Sequence, residues 1–184
     1  MGRWAEPQLV TAAIGGDDAG VEALLVAIWP GCFRLAASLL GDWNLAQDAA
    51  QDVCVLVHRK VRRLRSVGAF DAWLYRIVVR ECSRVRRASR RREIELYDEH
   101  FPVDAAVTLD VWRALAQLAP ELREVTVLFY FDDLSGEQIA AALRVRHATV
   151  RTRLARARHR LRELLGDYDD HRRFDALEAS PHAV

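Results

Sequence analysis

Apolar residues recur every three or four positions along nearly the whole chain, and this period constrains the fold more than any other feature of the sequence. Good helix formers fill the intervening positions, only 9 of the 184 residues are glycine, and no run alternates apolar and polar residues as a half-buried strand would. Because each apolar stripe needs a neighbour to cover it, the pattern predicts an all-α protein of packed helices.

Capping residues and helix breakers divide the first half of the pattern into segments. Four helices are predicted, over about residues 6–14, 18–40, 42–64 and 70–91. Pro30 and Gly31 should kink or break the second of them. The buried stripe of the fourth is predicted to contain five residues: Trp73, Leu74, Ile77, Val78 and Val85.

The second half resumes after a stretch with a different character. Acidic residues, Pro102 and weak periodicity indicate a flexible linker over residues 93–106. Four more helices are predicted, over about residues 107–118, 120–131, 135–143 and 148–165. We therefore expect two small helical domains, 1–92 and 107–166, followed by a polar acidic tail over 167–184.

Charge is segregated along the chain, although the formal net charge is only +1. Residues 59–92 carry 13 Lys and Arg against 2 acids, and residues 140–165 carry 8 Arg against 1 acid. The stretch 93–139 between them carries 11 acids against 2 Arg. Two basic blocks on either side of an acidic block favour two polyanion-binding surfaces, the alternative being two solvated helix faces.

Several classes of protein find no support in the sequence. Cys32, Cys54 and Cys82 are widely spaced, without a CxxC pair or a Cys/His pair at ligand spacing, so no metal site is expected. We find no Gly-rich phosphate loop and no nucleophile with a base partner, so neither an enzyme nor a cofactor is expected. No signal peptide and no apolar stretch of membrane-spanning length is found, which predicts a cytoplasmic protein without membrane insertion.

The last predicted helix carries the most specific binding signal. Its apolar stripe consists of Val150, Leu154, Ala157, Leu161 and Leu164. The candidate DNA-binding residues lie opposite or beside this stripe: Thr149, Arg151, Thr152, Arg153, Arg156 and His159. Arginine can donate two parallel hydrogen bonds to a phosphate or to a guanine edge. With the short helix over 135–143 in front of it, this segment has the arrangement of a helix-turn-helix.

Four motifs resemble the extracytoplasmic-function (ECF, group IV) RNA polymerase sigma factors of the sigma-70 superfamily. Residues 134–140 (LSGEQIA) with 148–158 (ATVRTRLARAR), and residues 118–125 (LAPELREV), resemble region 4 of that family. Residues 48–53 (DAAQDV) and 70–77 (FDAWLYRI) resemble region 2. The matches follow the family's order and span about residues 20–92 and 107–165.

The resemblance implies a transcription initiation factor and not an enzyme. It implies a region 2 helical bundle in residues 1–92 and a region 4 helix-turn-helix domain in residues 107–166. The partners that it implies are core RNA polymerase, through the β′ clamp helices and the β flap, and promoter DNA, which the factor helps to open. An anti-sigma factor or another regulator is a further implied partner.

Site residues follow from the same resemblance. It implies that Asp48, Gln51 and Asp52 bind core polymerase, since carboxylates one helical turn apart can meet arginines of a partner. It implies that six residues contact the minus-ten element: Trp73, Arg76, Arg80, Arg84, Arg86 and Arg87. Trp73 has core packing as its alternative role. The helix-turn-helix residues would read the minus-thirty-five element.

The chain departs from the family's pattern at several of these positions. Arg80 and Arg84 stand where the family commonly has Asn and Asp, and Arg144 stands where the turn of the helix-turn-helix commonly has glycine. These departures bear on the promoter sequence that is read and leave the expected architecture unchanged.

Two alternatives use the same helix-turn-helix differently. A sigma-like protein would bind a regulator or another sigma factor instead of recruiting polymerase, and core polymerase binding distinguishes it. A stand-alone repressor or activator would bind duplex half-sites as a dimer, and footprinting with the isolated protein distinguishes it.

Overall fold

The computed structural model describes residues 4–90 and 106–165, and every regular element in these two ranges is helical. The chain divides into two compact units, one on each side of residues 91–105. The prediction of an all-α protein with two small helical domains is therefore confirmed. The linker over 93–105 and the tail over 167–184 lie outside the described residues, so the domain bounds stay a prediction.

The first unit contains α1 (Pro7–Ile14), α2 (Asp18–Leu40), α3 (Trp43–Lys60) and α4 (Phe70–Arg90). Two short 3-10 segments, Val61–Arg63 and Val67–Ala69, connect α3 to α4. The second unit contains α5 (Ala106–Gln117), α6 (Pro120–Tyr130), α7 (Gly136–Leu143) and α8 (His147–Leu165).

The helices of the first unit begin and end at capping residues. At the start of α2 the Asp17 side chain accepts a hydrogen bond from the backbone N–H of Ala19 at 3.1 Å. At the start of α3 the Asp42 side chain accepts one from Leu45 at 2.8 Å. Gly41 ends α2 in the left-handed conformation, with φ of 71°. These residues satisfy backbone groups that have no partner within the helix.

The helix α2 runs unbroken through Pro30 and Gly31, so the predicted break is not found and a kink stays a prediction. Pro30 lies on the exposed side of the helix, where water can reach the carbonyl that loses its N–H partner. Gly31 lies against Trp4, since a Cβ at this glycine would come within 2.7 Å of the Trp4 ring. The ring of Trp4 also meets Tyr75 of α4 edge-on, with 4.8 Å between centroids.

The prediction from the sequence was that no apolar stretch has membrane-spanning length. The length and hydropathy of α2 show that this prediction is wrong. The helix has 23 residues with a mean hydropathy of 1.8 over its most apolar window, which satisfies the length and composition of a membrane span. One of its faces buries Leu24, Ile28 and Leu39 against the other helices of the unit, as the core helix of a helical bundle does. The opposite face is apolar as well, with Val26 at 76% exposure.

The buried face of α4 is rotated from its predicted position. Leu74, Val78 and Val85 are buried as predicted, but Trp73 and Ile77 are only half-buried. Tyr75 and Cys82, which were not in the predicted stripe, take part in the core instead. A spacing of three and four residues allows either rotation, and packing against α2 and α3 decides between them.

A buried arginine organises the second unit. Arg123 of α6 is only 8% exposed, and its guanidinium donates from Nε to the carbonyl of Leu115 at 2.8 Å and from Nη2 to the carbonyl of Ala116. It thereby satisfies the Ala116 carbonyl, whose helical donor would be Pro120, and gives a second donor to the Leu115 carbonyl, which also accepts from the Leu118 N–H at 3.1 Å. The sequence predicted apolar packing of α6 and did not predict this contact.

Gly20 lies where α1 and α2 are in contact, and an added Cβ would lie 2.7 Å from the Cβ of Ala12. We expect Gly20→Ala to lower the free energy of unfolding by about 1–2 kcal/mol, because overpacking outweighs the gain in helix propensity. Denaturant unfolding followed by circular dichroism measures it. Gly68→Ala is the control, since nothing lies within 4 Å of its added Cβ. An unchanged or higher stability of Gly20→Ala would contradict this account of the contact.

Candidate nucleic-acid interface

Helices α7 and α8 form the corner predicted as a helix-turn-helix. The Ser135 hydroxyl accepts a hydrogen bond from the Gln138 N–H at 3.3 Å, and the Gln138 side chain accepts one from the Ser135 N–H at 2.9 Å. This capping box begins α7 as predicted. Arg144 ends the helix, and the carbonyl of Arg146 accepts hydrogen bonds from the N–H groups that begin α8. The short connection fixes the direction in which α8 leaves α7.

The outer face of α8, made of Arg151, Thr152, Ala155, Arg156 and His159, is exposed along its length. The opposite face buries four of the five residues of the predicted stripe, Val150, Leu154, Ala157 and Leu161, while Leu164 is half-buried. Thr149 and Arg153 from the predicted set are half-buried at its sides. Among the described residues, Arg151 and Arg156 form no ion pair, so both guanidinium groups can bind an external anion.

Three cations in the second half of α8 have partners within the unit. Arg160 donates to Glu163 at 2.8 Å, and the imidazole of His159 lies 3.2 Å from the same carboxylate. The hydrogen bond from Arg160 lowers the pKa of Glu163, and His159 adds to the effect. Arg158 donates to the Tyr130 hydroxyl at 2.9 Å. Arg151 and Arg156 lie in the first half of α8, as in a helix that reads DNA with its first turns, whereas Arg162 in the last turn is a further exposed cation.

The basic face of α4 carries five of the six residues predicted for the minus-ten element: Trp73, Arg76, Arg80, Arg84 and Arg87. Arg80, Arg84 and Arg87 are exposed, and Trp73 and Arg76 are half-buried. Arg86, the sixth, lies on another side of the helix and donates from Nη2 to the Leu39 carbonyl at 2.7 Å. Arg86 thus binds the end of α2, a role that the sequence did not indicate.

A cavity of about 380 Å³ opens beside Trp73. Its walls are formed by Lys60, Arg63, Leu64, Arg65, Ala69 and Trp73. The sequence placed the three cations in a basic block but did not associate them with Trp73, because they precede α4 and only the fold of the connection brings them together. Trp73 also packs against Phe70, with 5.9 Å between ring centroids, so its two proposed roles are compatible.

The acidic face of α3 presents the residues predicted to bind polymerase. Asp48 and Gln51 are exposed, and Asp52 is half-buried. Val55, one turn beyond Gln51, is an exposed apolar residue at 46%. Asp52 differs from the other two, because it accepts a hydrogen bond from Arg84 of α4. A second carboxylate, Glu81, raises the pKa of Arg84 through a hydrogen bond at 2.6 Å.

Comparison with known proteins identifies both units. The family model of sigma-70 region 2 matches residues 30–92, and that of sigma-70 region 4 matches residues 108–161. The ECF sigma factor SigM of Mycobacterium tuberculosis is 33% identical over 167 residues, which cover 88% of this chain and 85% of SigM. The chain belongs to the ECF family of RNA polymerase sigma factors. It is a promoter-recognising transcription initiation factor, and its family is not one of enzymes.

Other relatives agree with this family. The sigma factor SigE of Mycolicibacterium smegmatis is 34% identical over 149 residues, which cover 74% of this chain but only 58% of SigE. RpoE of Bartonella quintana, solved with the anti-sigma factor NepR, has 27% identity and a TM-score of 0.68, covering 78% of this chain and 95% of RpoE. CnrH, solved with the cytosolic domain of CnrY, has 25% identity and a TM-score of 0.67, covering 86% and 96%.

The turn of the helix-turn-helix contains Arg144 in the left-handed conformation, with φ of 55°. We expect Arg144→Gly to raise the free energy of unfolding by about 1 kcal/mol, since glycine adopts this conformation without a Cβ penalty. Thermal or denaturant unfolding measures the change. Arg144→Ala removes the same side chain but keeps the penalty, so it should bring no gain. Equal stabilisation by both substitutions would assign the effect to loss of charge.

Proposed function

We propose that this sigma factor reads the minus-thirty-five element with α8 in the major groove. This proposal rests on Arg151 and Arg156, which follow the helix-turn-helix corner, are exposed and form no ion pair with another described residue. Arginine binds guanine O6 and N7 through both arms of its fork, and Thr152 lies between the two on the same face. Thr149, Arg153 and His159 flank them and are assigned to phosphate contacts.

For the minus-ten element we propose the basic face of α4 together with the cavity beside Trp73. Arg80 and Arg87 are exposed cations that can follow a phosphate backbone. The cavity combines an aromatic wall with three cations, and these are the groups that hold an unstacked base and its phosphates. Lys60, Arg63 and Arg65 therefore join the site.

For core RNA polymerase we propose the acidic face of α3 as the contact to the β′ clamp helices. Asp48 and Gln51 present a carboxylate and an amide to solvent, and Val55 adds an apolar contact beside them. Such a face complements a basic helical surface with an apolar centre. We further propose that the β flap binds region 4, on the resemblance to the family alone.

A regulator and a location complete the proposal. RpoE and CnrH, whose folds this chain shares, were solved with the anti-sigma factor NepR and with the cytosolic domain of CnrY. We therefore propose an anti-sigma factor or a related regulator as a partner of this chain, and a cytoplasmic location where polymerase and promoter meet. No catalytic activity and no cofactor is proposed.

The role of α8 is tested by Arg156→Ala. We expect holoenzyme affinity for the upstream element to fall by about tenfold or more, since a bidentate arginine–base pair contributes roughly 1–3 kcal/mol. Promoters are first identified by mapping genomic sites bound with polymerase, and affinity is then measured with native and altered upstream elements. Core polymerase binding should not change.

Arg162→Ala is the matched control, because it removes an exposed cation from the last turns of the same helix. Arg162→Ala should lower the affinity of the holoenzyme for DNA far less than Arg156→Ala. The change should be the same with native and altered upstream elements. Loss of core polymerase binding by Arg156→Ala would contradict the division of roles between the two units.

The role of α3 is tested by reversing one charge, in Asp48→Arg. We expect the affinity for core polymerase to fall by about tenfold or more, because the substitution places like charges at the contact. Direct binding to purified core enzyme measures it. Glu22→Arg reverses an exposed charge on α2 and should leave binding unchanged. Equal effects of the two substitutions would indicate a general dependence on net charge and contradict a specific contact.

A further inference from the structure

One ion-pair network joins the two surfaces proposed for region 2. Arg84 of α4 donates from Nε to Oε2 of Glu81 at 2.6 Å and from Nη2 to Oδ2 of Asp52 on α3. Glu81 is buried at 6% exposure, whereas the side chains of Arg84 and Asp52 are 51% and 47% exposed. The guanidinium is therefore held at Nε by a buried carboxylate and at Nη2 by a half-exposed one.

Each of the two exposed partners is also assigned to a different external ligand. Asp52 belongs to the acidic face of α3, and Arg84 belongs to the basic face of α4. We propose that Nη2 of Arg84 exchanges acceptors, from Asp52 in the free protein to a DNA phosphate when polymerase cations hold Asp52. The exchange couples polymerase docking to DNA binding, and it rests on the functions proposed for these two faces.

The geometry favours exchange at one end of the guanidinium only. Removing Arg84 from Glu81 would leave a buried carboxylate without its cation, which is strongly unfavourable. The contact with Asp52 is solvent-exposed, and exposed ion pairs contribute little stability, so it can be replaced. Glu81 is thus a positioning residue, since it directs Nη2 toward whichever anion lies outside.

Thermodynamic linkage determines whether polymerase docking raises or lowers the affinity for DNA. An ionised Asp52 that faces no polymerase both occupies Arg84 and repels a nearby phosphate. Polymerase cations at Asp52 remove both obstacles, so docking raises the affinity for DNA. By thermodynamic reciprocity DNA raises the affinity for polymerase by the same factor.

The polymerase side of the coupling is tested in the full-length chain with Arg84→Met, which like its control is made in a Glu81→Gln background, so that no buried carboxylate is left without its cation. The substitution frees Asp52, and we expect core polymerase to bind about threefold more tightly, the size of an exposed ion pair. Arg80→Met is the matched control, because it removes the same charge from the same face one turn earlier. It should leave core binding unchanged. The same change in both variants would overturn the proposal.

The DNA side is tested with Asp52→Asn, which keeps the Arg84–Glu81 pair and so protects the fold. In the free protein this substitution should raise the affinity for fluorescein-labelled oligodeoxythymidine about threefold. The slope of log affinity against log salt concentration should become steeper by the release of about one more counterion. In the Arg84→Met background the same substitution should raise the affinity for the oligonucleotide by less than threefold. One negative charge is lost there as well, but no arginine is released. Equal gains in both backgrounds would overturn the exchange.

The measurements distinguish failure of the proposed function from failure of the proposed exchange of Arg84. If the unsubstituted chain binds neither core polymerase nor DNA, the proposed function itself is wrong. If it binds both, and positions 52 and 84 show no coupling in either measurement, only the exchange of Arg84 is wrong. Unfolding curves of every variant, followed by circular dichroism, separate both outcomes from loss of structure.

Discussion

Burial of one apolar stripe per helix is the interaction on which both functional surfaces depend. In α8 the buried side chains of Val150, Leu154 and Ala157 fix the rotation of the helix. Because successive residues are turned by about 100°, Arg151 and Arg156 then have to face outward. The packing of apolar side chains does not involve the charged groups, but it decides which charged side chains of this protein face solvent.

Contacts within each unit then divide the arginines into two groups. Arg86 and Arg123 donate to carbonyls at helix ends, and Arg84 neutralises the buried Glu81 of its own helix. These side chains stabilise the helices that position the remaining, solvent-facing arginines. A basic block in this sequence is therefore both a binding surface and part of the structural framework, and charge counts alone cannot separate the two.

The fold was predictable to a large extent because its signals are local. Capping by Asp17, Asp42 and Ser135 depends on residues two or three positions away, and the observed helices begin where these residues predicted. Most of the differences concern features that depend on distant residues. The unbroken course of α2 through Pro30, the half-burial of Trp73 and the cavity beside it each depend on packing between helices or on the path of a connection. The span-like length and hydropathy of α2 are local, and there the prediction from the sequence was itself wrong.

By itself the sequence determined the helices, the two units, the segregation of charge and, through four short motifs, the sigma-factor family. These properties are encoded by neighbouring residues and by spacing along one helix. Tertiary structure decided which face of α4 is buried, which cations surround Trp73 and which carboxylates hold Arg84. Asp52 and Arg84 are 32 residues apart in the chain, and only the packing of α3 against α4 makes them partners. The physical reason is that side-chain contacts act over a few ångströms of space, whereas sequence patterns report distance along the chain.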